Sequence, residues 1–261
     1  MIGTNKGLDM SEAVLVCRSV KKSYPLAGGD GANGGSRLEV LKGIDFEVKP
    51  GERLAIMGRS GGGKSTLLGC LSGLDQIDSG EILLLGKNLA KLSTNELNAF
   101  RASTIGIVFQ QFQLLDHFTA LENVRLPLDL SGVDPQKADA IAKEKLDRVG
   151  LGGRGSHFPD RMSRGECQRV AIARVLAMGV KLIYADEPTG SLDVKTGRDV
   201  MDLLFASAKE SGAALVLVTH DPLLARRCDR TLRIEDGILK EGPLVLDLPE
   251  DALAPGQAPR V

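Results

Sequence analysis

Four short runs in this chain are apolar almost throughout: LAIM at 54–57, IGIVF at 105–109, LIYA at 182–185 and ALVLV at 214–218. A strand with one wet face alternates apolar and polar residues, so a strand without that alternation has to be covered on both faces. That is the condition of a parallel sheet flanked by helices. Each run also stops at a polar group: Gly58, Gln110, Asp186 with Glu187, and Thr219 with His220. Ligands of open parallel sheets bind beyond the carboxyl ends of the strands, so these four points are expected to converge in space.

The remaining segments fit around such a sheet. Residues 14–48 hold β-like runs, with Ile44, Phe46 and Val48 in strict alternation, interrupted by AGGDGANGGS at 27–36. They read as antiparallel sheet with a flexible hairpin insertion. Helical patterns fall at about 119–130, 137–149 and 165–178, with the turn-rich GLGGRGSHFPD between the last two. No strand signal interrupts that block, which predicts a helical subdomain at about 111–179 inserted into the core. The tail at 241–261, with few periodic apolar positions, is expected to be a poorly ordered extension.

The 261 residues, 43% of them hydrophobic, suffice for a full-sized core. A net charge of -1 supplies no global attraction for nucleic acid or an anionic membrane. Cys17, Cys70, Cys167 and Cys228 are scattered, without a C-x-x-C pair, which points to reduced cytosolic thiols and neither a disulfide framework nor zinc. The N-terminal residues do not read as a secretory leader, no covalent membrane anchor is expected, and no apolar run approaches the ~18 residues of a membrane span. A membrane role would therefore need a second polypeptide to cross the bilayer.

The phosphate signal is specific. GRSGGGKS at 58–65 matches G-x-x-x-x-G-K-[ST] between a buried strand and the helical STLLGCLSGL, the context of a P-loop. Backbone N–H groups of Gly58, Arg59, Ser60, Gly61, Gly62 and Gly63 are expected to cradle phosphate oxygens at a helix N-terminus. Lys64 reaches the β- and γ-phosphates in this reading, Ser65 offers its hydroxyl to Mg²⁺, and Thr66 lies near the α-phosphate. Asp186, at the end of a buried strand, is expected to hold the magnesium, and Glu187 to act as general base toward a water. The expected class is therefore α/β: a P-loop NTPase core with a mostly parallel sheet, an N-terminal antiparallel β subdomain and an inserted helical subdomain.

MSRGECQRV at 162–170 carries two readings. Ser163 and Glu166 have the S-x-x-E form of a helix capping box. The same exposed amides at a helix N-terminus also suit a phosphate.

Taken in order, GRSGGGKST, the VFQ ending at Gln110, MSRGECQRVAIAR, LIYADEPTGSLD and the VTH ending at His220 resemble the ATP-binding cassette (ABC) ATPases over residues 13–240. GLDQIDSGEI, TALENVRLPL and ADEPTGSLD look most like the branch of lipoprotein-release, macrolide-export and cell-division subunits. The resemblance implies ATP and Mg²⁺ as ligands. It implies a head-to-tail dimer, homo- or heteromeric, in which each ATP lies between one P-loop and the partner's Ser163, Arg164, Gly165 and Glu166. It also implies roles for Gln110 on Mg²⁺ or the attacking water, for His220 on the γ-phosphate and Glu187, for Asp193 across the dimer, and for Tyr24 against adenine. The chain would then sit on the cytoplasmic face of the cell membrane through an integral permease docked near Gln110 to Phe118, with no nucleic acid partner.

This chain departs from the family at Arg164, where glycine is usual. If the backbone there requires φ > 0, a side chain adds strain and bulk that hold the dimer open. A guanidinium beside a triphosphate would act in the opposite direction. Two further classes share these motifs. A signalling clamp would bind ATP and hydrolyse it poorly. A DNA-repair ATPase would carry coiled coils or zinc modules between P-loop and signature, and this chain has neither.

Overall fold

The computed structural model describes residues 13–26 and 37–242. The glycine-rich insertion at 27–36 and the tail from 243 lie outside the described residues. In chain order the strands are β1 (Leu15–Pro25), β2 (Arg37–Val48), β3 (Arg53–Gly58), β4 (Ser79–Leu84), β5 (Lys87–Asn88), β6 (Ile105–Val108), β7 (Leu182–Asp186), β8 (Ala214–Thr219), β9 (Arg230–Glu235) and β10 (Ile238–Glu241). The helices are α1 (Lys64–Leu71), α2 (Thr94–Thr104), α3 (Ala120–Leu130), α4 (Pro135–Arg148), α5 (Arg164–Ala177), α6 (Val194–Ser211) and α7 (Pro222–Ala225).

All four apolar runs are strands of one six-stranded sheet, ordered β10-β9-β3-β8-β7-β6. Its β9, β3, β8, β7 and β6 pair in parallel, and β10 closes the edge antiparallel to β9. Side chains of a strand alternate between faces, and here each face has its own core. Leu182 and Tyr184 of β7, with Ala214, Val216 and Val218 of β8, pack with β1, β2 and α1. Ile183, Ala185, Leu215 and Leu217 pack with helices α3 to α6. Burying one such aliphatic side chain contributes about 1.5–3 kcal/mol, so a polar residue on either face would be costly. The only hydroxyl among them, on Tyr184, donates to the carbonyl of Leu71 at 3.1 Å.

The antiparallel layer, ordered β2-β1-β4-β5, lies over α1. Residues 14–48 supply two of its strands, as the alternation predicted, and the chain returns after α1 to add β4 against β1. The helical patterns are realised as α3, α4 and α5, with every end within two residues of the expected bounds. Two single-turn 3₁₀ segments, Gly152–Arg154 and Pro159–Arg161, fill the turn-rich stretch. The four cysteines are free thiols, three of them buried. Among the described residues, no helix is long and apolar enough to cross a membrane.

Helix α5 approaches the sheet more closely than a β-carbon permits. A Cβ on Gly106 of β6 would stand 2.2 Å from Val175 Cγ1. One on Gly165 would stand 2.3 Å from Thr196 Cγ2 on α6. Glycine here is a requirement of packing distance, and it holds the N-terminus of α5 beside α6. Gly106→Ala is therefore expected to lower stability by about 1–3 kcal/mol in urea unfolding through overpacking. Combining it with Val175→Ala should cost less than the sum of the two single changes, because the second relieves the contact made by the first.

Candidate functional site

Between β3 and α1 the chain turns through the glycine-rich loop. Gly63, at φ 95° and ψ 6°, precedes the first turn of α1 in a left-handed conformation, and no side chain caps that helix. The amides of Lys64, Ser65 and Thr66 consequently lack acceptors within the helix. Lys64 folds back across the loop and donates from Nζ to the carbonyls of Gly58 at 2.8 Å and Arg59 at 3.1 Å. The loop thus presents N–H donors and an ammonium to one side.

That side is a cavity of about 830 Å³ lined by Gly58, Arg59, Ser60, Gly61, Gly63, Lys64, Ser65 and Thr66, and by Tyr24, Val40, Gln110, Asp186, Glu187, Gly190 and His220. All four strand ends predicted to converge meet there. Gly62 does not line it; its amide donates to the Arg59 carbonyl inside the loop at 3.1 Å. Tyr24, at the end of β1, donates from its hydroxyl to Asp75 Oδ2 at 3.1 Å, and Lys22 Nζ lies 4.9 Å from its ring centroid.

Asp186 ends β7 in the partly buried wall. Burial first, and the neighbouring Glu187 charge second, raise its carboxyl pKa, with Lys64 opposing both. Such a carboxylate gains most from a cation brought next to it. Glu187 follows at φ 44°, a left-handed conformation unusual for a side-chain-bearing residue and costing on the order of 1–3 kcal/mol. Its amide donates to the Val218 carbonyl at 2.9 Å, which fixes the turn against β8. From the end of β8, His220 Nδ1 lies 2.7 Å from Glu187 Oε2. A carboxylate only accepts, so the ring presents Nδ1–H to it. The imidazole is 70% exposed and the Glu187 side chain 17%, which leaves the ring's far edge open to the cavity.

The signature segment is elsewhere. Ser163, Arg164, Gly165, Glu166 and Asp193 do not line the cavity of their own chain. Ser163 is the N-cap of α5 in a full capping box: Glu166 N–H donates to Ser163 Oγ at 3.2 Å, and Ser163 N–H to Glu166 Oε2 at 2.8 Å. Arg154 pairs with Glu166 at 3.1 Å. Asp193 caps α6, accepting from Thr196 N–H at 3.0 Å. Arg164 corrects one expectation. It is the first residue of α5 and is absent from the positive-φ positions, so its side chain costs no left-handed strain. Its guanidinium donates to the Ser191 carbonyl at 3.3 Å, within its own chain.

Two side chains not singled out in the sequence tie these segments together, both on α5. Fully buried Gln168 donates from Nε2 to the carbonyls of Pro188 at 2.9 Å and Phe109 at 3.3 Å, the residues adjoining Glu187 and Gln110. Arg174 donates to the carbonyls of Gln113 at 2.6 Å and Phe112 at 3.0 Å. Polar residues among Val170, Ile172, Ala173 and Val175 were the available signal, but spacing on a helix does not name a partner on another segment.

The donors fit a magnesium nucleotide. Amides and an ammonium face phosphate, and the oxygen donors are the Ser65 hydroxyl, the Gln110 amide and the Asp186 carboxylate, the ligand type a hard divalent cation takes. Among the described residues, no group of three His, Cys, Asp or Glu side chains could hold a metal unaided, so nucleotide oxygens would have to complete the shell.

Residues 41–190 match the ABC transporter family. The lipoprotein-releasing system ATP-binding protein LolD of Shewanella oneidensis is 46% identical over 231 residues, 88% of this chain and 97% of that protein. YbbA of Escherichia coli K12, an uncharacterized ABC transporter ATP-binding protein, is also 46% identical, over 88% and 98%. Among solved structures, the ATP-binding cassette MJ0796, in a dimer bound to ADP and Pi, is 37% identical with a TM-score of 0.77, covering 87% of this chain and 98% of that one. The cbiO1 subunit of Clostridium perfringens, part of the transporter complex cbiONQ, is 30% identical with a TM-score of 0.74, over 88% and 87%. With its phosphate loop, acidic pair and histidine gathered on one cavity, the chain belongs to the ABC transporter ATPases, as an ATP-binding and ATP-hydrolysing subunit that works with a separate permease.

Proposed function

We propose that this subunit hydrolyses magnesium-ATP in a head-to-tail dimer of cassettes and thereby drives an export- or extraction-type permease from the cytoplasmic face of the membrane. The observation that carries the reading is the convergence of the loop at 58–66 with Gln110, Asp186, Glu187 and His220 on one cavity. When bound, Mg²⁺ would neutralise charge on the β- and γ-phosphates. Lys64 and the amides of α1 hold the triphosphate, and Tyr24 stacks on adenine. Ser65, Asp186 and Gln110 place the metal. Glu187 takes the proton of the attacking water, and His220 orients that carboxylate from its 2.7 Å contact while its exposed edge meets the γ-phosphate.

Ser163, Arg164 and Gly165 lie outside the chain's own cavity, and the helix N-terminus that they form, exposed at Ser163 and Arg164 with Gly165 buried behind them, suits the γ-phosphate of a partner cassette. Asp193, which caps α6 two residues after the Ser191 carbonyl held by Arg164, links the two sites across the dimer. The dimeric MJ0796 cassette lends support to this arrangement. The transported substrate is selected by the permease, whose contacts lie outside this chain. Transporter subunits among the relatives favour this reading over a DNA-repair ATPase or a signalling clamp.

Permease docking is assigned to residues 110–118. Fully buried Asn123 on α3 accepts from the Leu115 amide at 2.8 Å and donates to the carbonyls of Leu115 at 3.1 Å and Phe118 at 3.0 Å, which presents Leu115 at 45% exposure. An apolar side chain displayed on a pinned loop suits a protein partner.

Glu187→Gln should retain ATP binding, lose at least ~100-fold in turnover and accumulate as an ATP-bound dimer, because the amide cannot accept the proton. Wild-type turnover at saturating ATP would remove Glu187 from the base role. Replacing Leu115 and Phe118 by serine should abolish stimulation of ATPase by the permease with nucleotide affinity intact; unchanged stimulation and co-purification would place the dock elsewhere. Arg164→Gly relieves no strain, so it should lower ATP-dependent dimerisation and turnover by about two- to tenfold through a weakened first turn of α5. Faster turnover would show instead that the side chain's bulk holds the dimer apart.

A further inference from the structure

Between Gln110 and the exposed Leu115 the backbone takes a costly path. Phe112 and Gln113 are consecutive residues at φ 47° and 51°, both left-handed and neither glycine, and the Gln113 amide closes a tight turn on the Gln111 carbonyl. Two such residues persist only where the surroundings over-determine them. The surroundings here are chiefly one side chain: Arg174 of α5, whose guanidinium spends one N–H on each of their carbonyls.

Arg174 forms no ion pair among the described residues, and burial lowers its pKa. Partly buried guanidinium groups are ordinarily matched to carboxylates or phosphate. This one is matched to the main chain of a strained turn, and its planar fork can hold both carbonyls at once where a lysine ammonium would fit only one well. Asn123 pins the far end of the same segment from α3, so the near end is the point at which it meets the helix that carries Ser163 and Gln168.

We propose that Arg174 is a positioning residue for transport coupling: it latches the left-handed pair Phe112–Gln113 to α5, so that force on the docking segment reaches Gln110 and the signature N-terminus together. The inference rests on the docking of the permease at residues 110–118. Without the latch, the segment relaxes toward ordinary φ values, and displacement of Leu115 is absorbed in the loop.

The test uses the full-length chain and Arg174→Met, which keeps apolar volume and removes both donors, with Arg174→Lys as the conservative comparison. Amide hydrogen exchange is followed across residues 110–118, and ATPase is measured alone and with the co-expressed permease in phospholipid vesicles. Arg174→Met should speed exchange at residues 111–115 by about tenfold, as expected for loss of two hydrogen bonds. The Michaelis constant for ATP should stay within about twofold, and stimulation by the permease should fall at least about fivefold, with Arg174→Lys in between. Unchanged exchange overturns the latch. Faster exchange with stimulation intact overturns its part in coupling, and a general loss of thermal stability with weaker ATP binding reduces Arg174 to a brace. The variant with serine at Leu115 and Phe118 separates the two readings: if it keeps full stimulation, the docking assignment fails, while the exchange data still decide whether Arg174 holds the turn.

Discussion

The parallel sheet is buried on both faces, and the arrangement of the site depends on that. Strands β7 and β8 send alternate side chains into two different cores, one shared with α1 and the antiparallel layer, the other with α3 to α6. A sheet gripped this way has no freedom to shift register, since a slip of one residue would exchange every side chain between cores of different shape. Its carboxyl ends are therefore fixed relative to one another. The polar residues that follow them can be short, strained or charged without losing their positions.

Three of the six left-handed non-glycine residues among those described lie at or just beyond those ends. Gly63 and Glu187 are left-handed beside the cavity, and Phe112 and Gln113 are left-handed just beyond Gln110. Gly63 takes that conformation without cost, and the other three are held by contacts to rigid elements: Glu187 by the Val218 carbonyl on β8, Phe112 and Gln113 by Arg174 on α5. Helix α5 thus has three duties along its length. Its N-terminus carries the capping box of the signature segment, Gln168 braces the turns of Gln110 and Glu187, and Arg174 holds the segment beyond. Close packing at Gly106 and Gly165 keeps that helix near enough for all three.

Much of this was legible beforehand. The wholly apolar runs implied the parallel sheet because only two-sided burial removes alternation, and the P-loop spacing implied a phosphate site because few sequences place that loop between a buried strand and a helix. The acidic pair after LIYA and the histidine after ALVLV followed from strand ends. Other elements left weaker marks. In β9 only Leu232 and Ile234 face inward, too few for a period to register, and β4 is defined by pairing with β1 across the whole of α1. Helix α6 does carry a readable signal, Asp193 as cap before Val200, Met201, Leu204 and Phe205.

What the sequence determined by itself was local chemistry: which residues can cradle phosphate, hold a divalent cation, accept a proton or cap a helix, since these depend on side-chain type and short spacing. Tertiary structure alone decided the rest. That Arg164 is an ordinary first residue of α5, free of left-handed strain, follows from the capping geometry around it. That Gln168 bridges Phe109 and Pro188, and that Arg174 is spent on two carbonyls in place of a carboxylate, depends on segments 20 to 62 positions apart being brought to one helix. No periodicity encodes such a partner, because it exists only after both cores have closed and set the distance between α5 and the strand ends.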